Sequence, residues 1–388
     1  MKNSSYRKLH IGRILPGIII FLLSVALFGS SIAEAADEIR IGYTPQLSGG
    51  HSSPTPHEVK AIKLALKQIN EGGGVNGKKI NLIIVDNQSS TSGAQAAVKK
   101  VVEEEKMLAL VGFILSTYVM ATSDAIRTYG IPTCIGGSHA SLTRRGNPWL
   151  FRVRPDDSIG ARAIVKYIGE DMKLRKIGIL HDSDASGTGA ADLVERGAKE
   201  RGIAVVKREK YASRERGDFT ARLLSLKEAG AEIMVMWGYP IDAAHIQRQY
   251  RQIGSPFKYI GSAGSQMKSN LDIAGEAADG LLAIAEFVPG QSEANRKYIE
   301  AYKKEYNEDC DPTMSWVYDA LNILVEAIKK AGEDRVKIRE AILALKGYQG
   351  VMGTFSFTPN GDGLHGVNIV QIEKGKPKLL KFVSVEAE

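Results

Sequence analysis

The chain has 388 residues, and its 51 Lys and Arg residues outnumber its 44 Asp and Glu residues to give a formal charge of +7. Without the first 36 residues the formal charge falls to about +4, which is too small to indicate a nucleic-acid partner. The remaining length, about 350 residues, exceeds what one hydrophobic core usually supports, so two domains are expected.

The first 36 residues predict a signal peptide. Four basic residues precede an apolar run at positions 14–28, and the small residues around Ala35 are suited to cleavage by a signal peptidase. The apolar run is shorter than the roughly 20 residues that cross a bilayer, so an uncleaved anchor is the weaker interpretation. We therefore expect a periplasmic protein that is cleaved near Ala35.

The sequence predicts no metal site and no cofactor. The seven histidines are scattered, and neither Cys-x-x-Cys nor His-Glu-x-x-His occurs. The glycines at 72–77 follow a helical pattern and precede a strand, which is the reverse of the order in a phosphate-binding loop. Cys134 and Cys310 are compatible with two free thiols or with one long-range disulfide.

In chain order, short apolar runs alternate with amphipathic segments, a pattern that predicts parallel strands separated by helices. In the first part we predict strands at 39–43, 80–86, 108–111 and 131–135, with helices around 59–69, 94–105 and 118–129. The pattern then restarts, with helices at 159–172, 189–201, 219–229 and 242–253 and strands at 176–181, 204–211 and 232–237. The last part contains one apolar strand, helices at 295–306, 316–330 and 336–345, and three β-rich segments.

This alternation predicts an α/β fold of two Rossmann-like lobes, each with a parallel-rich central sheet. We expect residues 38–155 and 287–352 in the first lobe, and residues 156–286 and 353–388 in the second. Three crossover segments, near Pro155, Glu286 and Phe355, would join the lobes. In such sheets ligands bind at the carboxyl ends of the strands. We therefore expect a binding site in the cleft between the lobes, formed by the loops that follow the strands.

The first candidate residues lie after the predicted strand at 108–111. Ser116 and Thr117 open the next helix, where their hydroxyls are suited to cap it and its backbone amides are suited to bind a carboxylate. His139 and His51 lie in loops at the expected rim of the cleft, where a histidine next to a bound carboxylate would add a charge-assisted hydrogen bond. Solvated histidines are the alternative.

Several segments resemble the periplasmic leucine/isoleucine/valine-binding proteins, a family of type I periplasmic binding proteins. The resemblance covers residues 38 to about 372, in the family's order and spacing. The segments that carry it are Ile-Asn-Glu-Gly-Gly-Gly-Val-Asn-Gly-Lys-Lys at 69–79, Val-Asp-Asn-Gln-Ser at 85–89, Ser-Leu-Thr-Arg-Arg-Gly at 141–146, Phe-Arg-Val-Arg-Pro-Asp-Asp at 151–157, Asp-Phe-Thr at 218–220 and Leu-Lys-Glu-Ala-Gly-Ala-Glu at 226–232.

The resemblance implies a site for an α-amino acid. It places the ligand carboxylate at Ser116 and at the small-residue turn of Gly137 and Ser138, next to His139. It also implies an aromatic contact at Tyr239, the tyrosine that follows the predicted strand at 232–237.

Three positions depart from the family pattern. Ala263 stands where the family has the glutamate that binds the ligand ammonium, and the aromatic contacts of the family align with Pro54 and Ser186. A buried ammonium without a partner is costly, so we expect poor binding of branched-chain amino acids and better binding of a carboxylate that lacks the amine. That expectation is reversed if Asp182 or Asp184 replaces the missing glutamate.

The sequence therefore predicts a solute-binding protein that is not an enzyme. It would capture an amino acid or a related small carboxylate by hinge closure, act as a monomer and deliver its ligand to the permease of an ABC transporter. A ligand sensor that docks on a separate receptor is one alternative. A cleft hydrolase using Ser116, His139 and Asp182 is a weaker one, because the Gly-x-Ser-x-Gly motif is absent around Ser116.

Overall fold

A computed structural model describes residues 38–212 and 217–385, together with Met1. Apart from Met1, the predicted signal peptide lies outside the described residues. From Ile39 onward the chain packs as one compact unit. Among the described residues, no helix has both the length and the apolar character needed to span a bilayer.

The first lobe is built on a five-stranded sheet whose neighbouring strands are all parallel. Its strands are β1 (Ile39–Tyr43), β2 (Ile80–Ile84), β3 (Ala109–Val111), β4 (Thr133–Ile135) and β5 (Leu150–Arg152). They are arranged in the order β2-β1-β3-β4-β5, so the loops that follow β1, β3 and β4 emerge side by side at one edge.

The second lobe has a seven-stranded mixed sheet. Most of its strands come from the middle of the chain: β6 (Lys176–Asp182), β7 (Ala204–Tyr211), β8 (Ile233–Trp237), β9 (Lys258–Gly261) and β10 (Leu282–Ala285). A short hairpin of β11 (Tyr348–Gln349) and β12 (Thr354–Phe355) comes next, before β13 (Gly366–Glu373) and β14 (Lys376–Ser384). The sheet order is β14-β13-β10-β9-β8-β6-β7, and β13 pairs antiparallel with both of its neighbours, β10 and β14.

Helices cover the faces of both sheets. They are α1 (Thr55–Glu71), α2 (Thr91–Lys99), α3 (Ser116–Tyr129), α4 (Asp157–Glu170), α5 (Ala185–Glu200), α6 (Thr220–Glu228), α7 (Pro240–Gln252), α8 (Lys268–Ala274), α9 (Glu293–Tyr306), α10 (Trp316–Ala331) and α11 (Arg335–Leu343). This arrangement confirms the predicted α/β class with two parallel-rich lobes.

Helix α10 shows how the late part of the chain completes the first lobe. Its apolar residues recur on several faces, and the helix packs against α1 and against strands β3 and β4. Trp316, its first residue, is fully buried beneath the loop after β4. A Cβ atom at Gly136 would lie 2.8 Å from the Trp316 ring, so this loop approaches the helix closely only because residue 136 is glycine.

Within the described residues the chain passes from one lobe to the other after β5, after β10 and between β12 and β13. The third passage differs from the expected position. Residues 353–364 were expected in the second lobe, but Phe355, Phe357 and Leu364 are buried in the core of the first. The chain joins the second sheet at Gly366, because the short β11–β12 hairpin keeps the preceding segment on the first lobe.

Cys134 and Cys310 are both free thiols in the structure. Cys134 is fully buried in β4, and Cys310 is half-buried. Burial raises the pKa of both thiols, that of Cys310 to about 12, so both groups are protonated at neutral pH.

Candidate ligand-binding site

A cavity of about 260 Å³ lies between the two lobes, at the carboxyl ends of the strands. Its polar lining comes from loops of both lobes and consists of Gln46, His51, Ser53, Ser116, Thr117, Ser138, Arg154, Asp156, Asp157, Asp182, Asp184, Ser186, Tyr239, Asp242, Ser262, Ser269, Glu286 and Thr313. Its larger apolar lining residues are Ile114, Leu115, Trp237, Ile241, Met267, Ile284, Met314 and Val367. A volume of this size suits a small solute.

The lobes touch at the edge of the cavity. The ring of His51, in the loop after β1, lies 6.1 Å between centroids from the ring of Tyr239 in the second lobe. Gln266 of the second lobe donates a 3.4 Å hydrogen bond to the hydroxyl of Thr313 in the first. These two contacts connect the lobes at the edge of the cavity.

Helix α3 presents its N-terminus to the cavity. We expected the hydroxyls of Ser116 and Thr117 to cap this helix, but Leu115 occupies the N-cap position and no side chain caps the first turn. The Ser116 hydroxyl instead accepts a 3.1 Å hydrogen bond from the backbone N–H of His139, which leaves its own hydrogen available to a ligand. An uncapped helix N-terminus with two hydroxyl side chains at the cavity wall is suited to a carboxylate.

The loop after β4 packs directly on this helix end. Ser138 lines the cavity, whereas the predicted site residues Gly137 and His139 do not. Gly137 is needed for close packing, since a Cβ atom there would lie 2.7 Å from Leu142 and 3.3 Å from the Cα atom of Ser116. The turn therefore shapes the site without supplying a ligand contact from residue 137.

His139 lies between the lobes at the rim. Its Nδ1 atom is 3.0 Å from the Ser141 hydroxyl, and its Nε2 atom would be 3.0 Å from a Cβ atom at Gly189 in α5. Burial lowers the pKa of His139, and the charges of Arg152 and Arg145 lower it further. Because its ring does not bond the Ser116 hydroxyl, the arrangement lacks the base of the serine triad considered above.

Arg152 holds this ligand-facing loop in place. Its fully buried guanidinium donates to the carbonyl of His139 at 2.9 Å, to that of Gly137 at 3.3 Å and to the Thr143 hydroxyl at 2.9 Å. A 2.8 Å ion pair with Asp362 neutralises its charge. The segment that contains Arg152 contributes to the family resemblance, but the sequence alone assigned no role to this residue.

Asp157, the first residue of α4, is a further residue that sequence reasoning missed. It lines the cavity, is 6% exposed, and accepts hydrogen bonds from the hydroxyls of Ser138 and, at 3.4 Å, Ser186. Burial raises the pKa of its carboxyl to about 7. Among the described residues, no Lys, Arg or His side chain forms an ion pair with it. The available signal was the second Asp of Pro-Asp-Asp at 155–157.

Asp184, one of the two acids considered as substitutes for the missing glutamate, lines the cavity. Its carboxylate caps α5 by accepting from the N–H of Gly187 at 2.7 Å and also accepts a 2.7 Å hydrogen bond from the hydroxyl of Tyr239. Burial raises the pKa of Tyr239, and Asp184 raises it further, so the phenol stays protonated and donates. Ala263 lines the cavity with a methyl group.

The cavity wall is strongly acidic. Arg154 is the only Lys or Arg residue among the described residues that line it. Its Nε and Nη2 atoms each donate a 2.7 Å hydrogen bond to the carboxylate of Glu286. Asp156 is paired with Arg144, which lies outside the cavity. The carboxylates of Asp157 and Asp184 line the cavity, and neither forms an ion pair with another of the described residues.

Trp237 and Pro54 complete the enclosure. Trp237, at the end of β8, is 6% exposed and belongs to the core of the second lobe, yet part of it lines the cavity. Pro54 lines the cavity from the opposite lobe. Ser186, which aligns with an aromatic position of the family, contributes a hydroxyl next to Asp157.

Two α/β lobes around a cavity at the carboxyl ends of their strands, with polar side chains from both lobes in its lining, have the architecture of a solute-binding protein. A family model described as "Periplasmic binding protein" matches residues 38–377. The chain belongs to this family, specifically to the type I proteins related to Leu/Ile/Val-binding proteins, which are binding proteins and not enzymes.

Curated relatives and solved structures agree with this assignment. The chain is 28% identical over 335 residues to the leucine-, isoleucine-, valine-, threonine- and alanine-binding protein of Pseudomonas aeruginosa, covering 86% of this chain and 89% of that protein. It is also 28% identical over 339 residues to the Leu/Ile/Val-binding protein of Escherichia coli, covering 87% and 91%.

Two solved structures are similar along nearly their whole length. One is LivJ, a branched-chain amino acid transporter substrate-binding protein from Streptococcus pneumoniae in complex with isoleucine, at 25% identity and a TM-score of 0.82, covering 89% of this chain and 99% of that chain. The other is a solute-binding protein from R. palustris in complex with benzoate, at 19% identity and a TM-score of 0.80, covering 90% and 97%. The second similarity concerns the fold alone.

Proposed function

We propose that this protein is the periplasmic solute-binding component of an ABC transporter and that its ligand is a zwitterionic amino acid. The ligand carboxylate lies at the N-terminus of α3, against Ser116 and Thr117. The ligand ammonium lies against the carboxylates of Asp157 and Asp184. The observation that carries this proposal is Asp157, a buried cavity carboxylate that has no paired cation within the described part of the chain.

Burial makes an uncompensated carboxylate costly, as the raised pKa of Asp157 reflects. A ligand ammonium would replace the missing cation, and hydrogen bonds from Ser138 and Ser186 already fix the orientation of the carboxylate. Asp184, which the Tyr239 hydroxyl orients, supplies a second acid and would replace the glutamate that the family has at the position of Ala263. A carboxylate ligand without an amine would leave both acids unpaired and would be repelled by them.

Relatives support this choice. The names of the relatives from P. aeruginosa and E. coli describe binding of amino acids, and the two alignments cover 86% and 87% of this chain. The protein from R. palustris has a similar fold and is in complex with benzoate, a carboxylate without an amine. Ligands that lack the amine are therefore included in the experiment below. The acidic wall of the present cavity is the reason for preferring the zwitterion.

Capture would proceed by closure of the lobes about the three crossing segments. The Arg154–Glu286 pair joins the first crossing to the second, and hydrogen bonds between residues 361–363 and Arg152 join the first to the third. Such links restrict relative motion of the lobes to a rotation about the bundle of crossings. Export by the predicted signal peptide and delivery to a membrane permease complete the proposed role.

A thermal-shift screen of the purified protein tests the proposal. The panel contains amino acids and, for each, the carboxylic acid that lacks the α-amine. A ligand that binds only the folded protein raises its melting temperature, so amino acids should raise it and their des-amino analogues should not. A response to des-amino acids alone would contradict the zwitterionic ligand. It would instead support a carboxylate that lacks the amine, which is the ligand class expected from Ala263.

A further inference from the structure

One buried polar group in the cavity has no role in the zwitterion site. Gln46, in the loop after β1, lines the cavity and is only 2% exposed. Its Oε1 atom is buried without a partner, and within the described residues its side-chain amide forms no hydrogen bond with the protein. Buried amides are nearly always hydrogen-bonded, so this group indicates a partner that the protein does not supply.

The backbone around Gln46 is firmly held, so the unpaired amide does not result from a loose loop. The carbonyl of Gln46 accepts a 2.9 Å hydrogen bond from the Thr55 hydroxyl. On either side, the carbonyl of Pro45 accepts from the N–H of Asn87 at 3.0 Å, and the N–H of Leu47 donates to Asp86 at 2.9 Å. These contacts fix where the side chain starts, and from that position Gln46 forms part of the cavity wall.

The sheet order places Gln46 away from the charged ends of the proposed ligand. Strand β1 lies on one side of β3 and strand β4 lies on the other. The loop after β3 carries Ser116, and Asp157 follows β5 beyond β4, so the carboxylate and ammonium groups lie on the β3–β5 side. Gln46 is on the β1 side, where the side chain of a bound amino acid would extend.

From this placement we infer that Gln46 reads a polar group on the ligand side chain, which makes the ligand an amino acid with a neutral hydroxyl or carboxamide side chain. The inference rests on the proposed function, since it takes the charged ends of the ligand as already placed. An aliphatic side chain would leave both ends of the amide unpaired in the closed cavity, whereas a hydroxyl or carboxamide can donate to it and accept from it.

Isosteric ligand pairs test the inference by titration calorimetry on the purified protein. Asparagine and leucine have similar shapes, as do threonine and valine, and each pair differs in side-chain hydrogen bonding. The polar member of each pair should bind at least about tenfold more tightly than the aliphatic one. Equal affinities within each pair would overturn the inference while leaving the proposed function intact.

The variant Gln46→Met keeps the length of the side chain and removes the amide. It should bring the two members of each pair to within about threefold of one another, and it should not lower the melting temperature, because no protein hydrogen bond is lost. Gln252→Met, at an exposed position at the end of α7, is the matched control and should leave the preference unchanged. If Gln46→Met still prefers the polar member of each pair, the inference is overturned. It is also overturned if a buried water proves to be the sole hydrogen-bond partner of the Gln46 amide.

A third pair separates failure of the inference from failure of the proposed function. Succinamate and 4-methylpentanoate are the des-amino counterparts of asparagine and leucine. If only des-amino acids bind, the zwitterion is refuted, and the affinity ratio of this pair in the unaltered protein still measures the preference that Gln46 imposes. A ratio near one in that pair would then refute the role of Gln46 as well.

Discussion

Replacing Asp157 with Asn tests the ammonium site most directly. The change preserves the shape of a side chain that is only 6% exposed and keeps one oxygen able to accept from Ser138 or Ser186, but it removes the negative charge. Truncating a buried charge pair costs about 3–5 kcal/mol, and Asp184 would offset part of that loss. We therefore expect binding of an amino acid to weaken by about 2–4 kcal/mol, or roughly 30-fold to 1,000-fold.

The same variant should change stability in the opposite direction. The raised pKa of Asp157 means that, between about pH 4 and pH 7, the unfolded chain loses this proton while the folded protein keeps it. The contribution of Asp157 to stability is therefore complete at lower pH and is lost as pH rises to about 7. Asp157→Asn should be at least as stable as the unaltered protein at pH 8.

Calorimetric titration with the strongest amino acid from the thermal-shift screen gives the affinity. In the unaltered protein the affinity should fall as pH drops below about 7, because binding must expel the Asp157 proton, and this dependence should vanish in Asp157→Asn. Asp171→Asn, at the far end of the same helix and paired with Lys381, is the matched control. An affinity of Asp157→Asn within about twofold of the unaltered protein would refute the ammonium site.

Other predictions concern the remaining parts of the site and the fold. Ser116→Ala should weaken amino-acid binding by about 1–3 kcal/mol in titration calorimetry, and an unchanged affinity would move the carboxylate elsewhere. Asp319→Ala leaves the backbone N–H groups of Val351 and Met352 unsatisfied in the first core and should lower the urea-derived unfolding free energy by about 2–4 kcal/mol without changing affinity in correctly folded protein. Small-angle scattering should show a smaller radius of gyration with a confirmed ligand than without it, and identical curves would argue against lobe closure.

Much of the fold was predictable because parallel strands are buried on both faces and read as short apolar runs. The first strand, residues 39–43, has the same bounds in the sequence prediction and in the structure. Helix α10 was predicted within one residue, since its apolar positions recur at helical spacing. The third crossing was misplaced because residues 353–364 contain aromatic residues that suit a strand of either lobe, and only packing decides between them.

The site was partly predictable for a related reason. Loops after parallel strands converge on one edge, so Ser116, Ser138 and Tyr239 were expected together, and all three line the cavity. Asp157 was harder to recognise because an acid at the start of a helix is ordinarily explained by the helix dipole alone. Its distinguishing property is burial without a paired cation among the described residues, and that property depends on what both lobes place around it.

Arg152 marks the limit of local reasoning. Its ion-pair partner Asp362 is 210 residues later in the chain, and no periodicity or motif relates two positions so far apart. Yet the pair has a direct consequence for binding, because the same guanidinium holds the carbonyls of the loop that carries Ser138. The loop that faces the ligand is thus fixed by residues of the first and third crossings. Because Arg152, that loop and the segment around Asp362 all pack in the first lobe, the pair would keep the carboxylate end of the site in one shape while the lobes rotate.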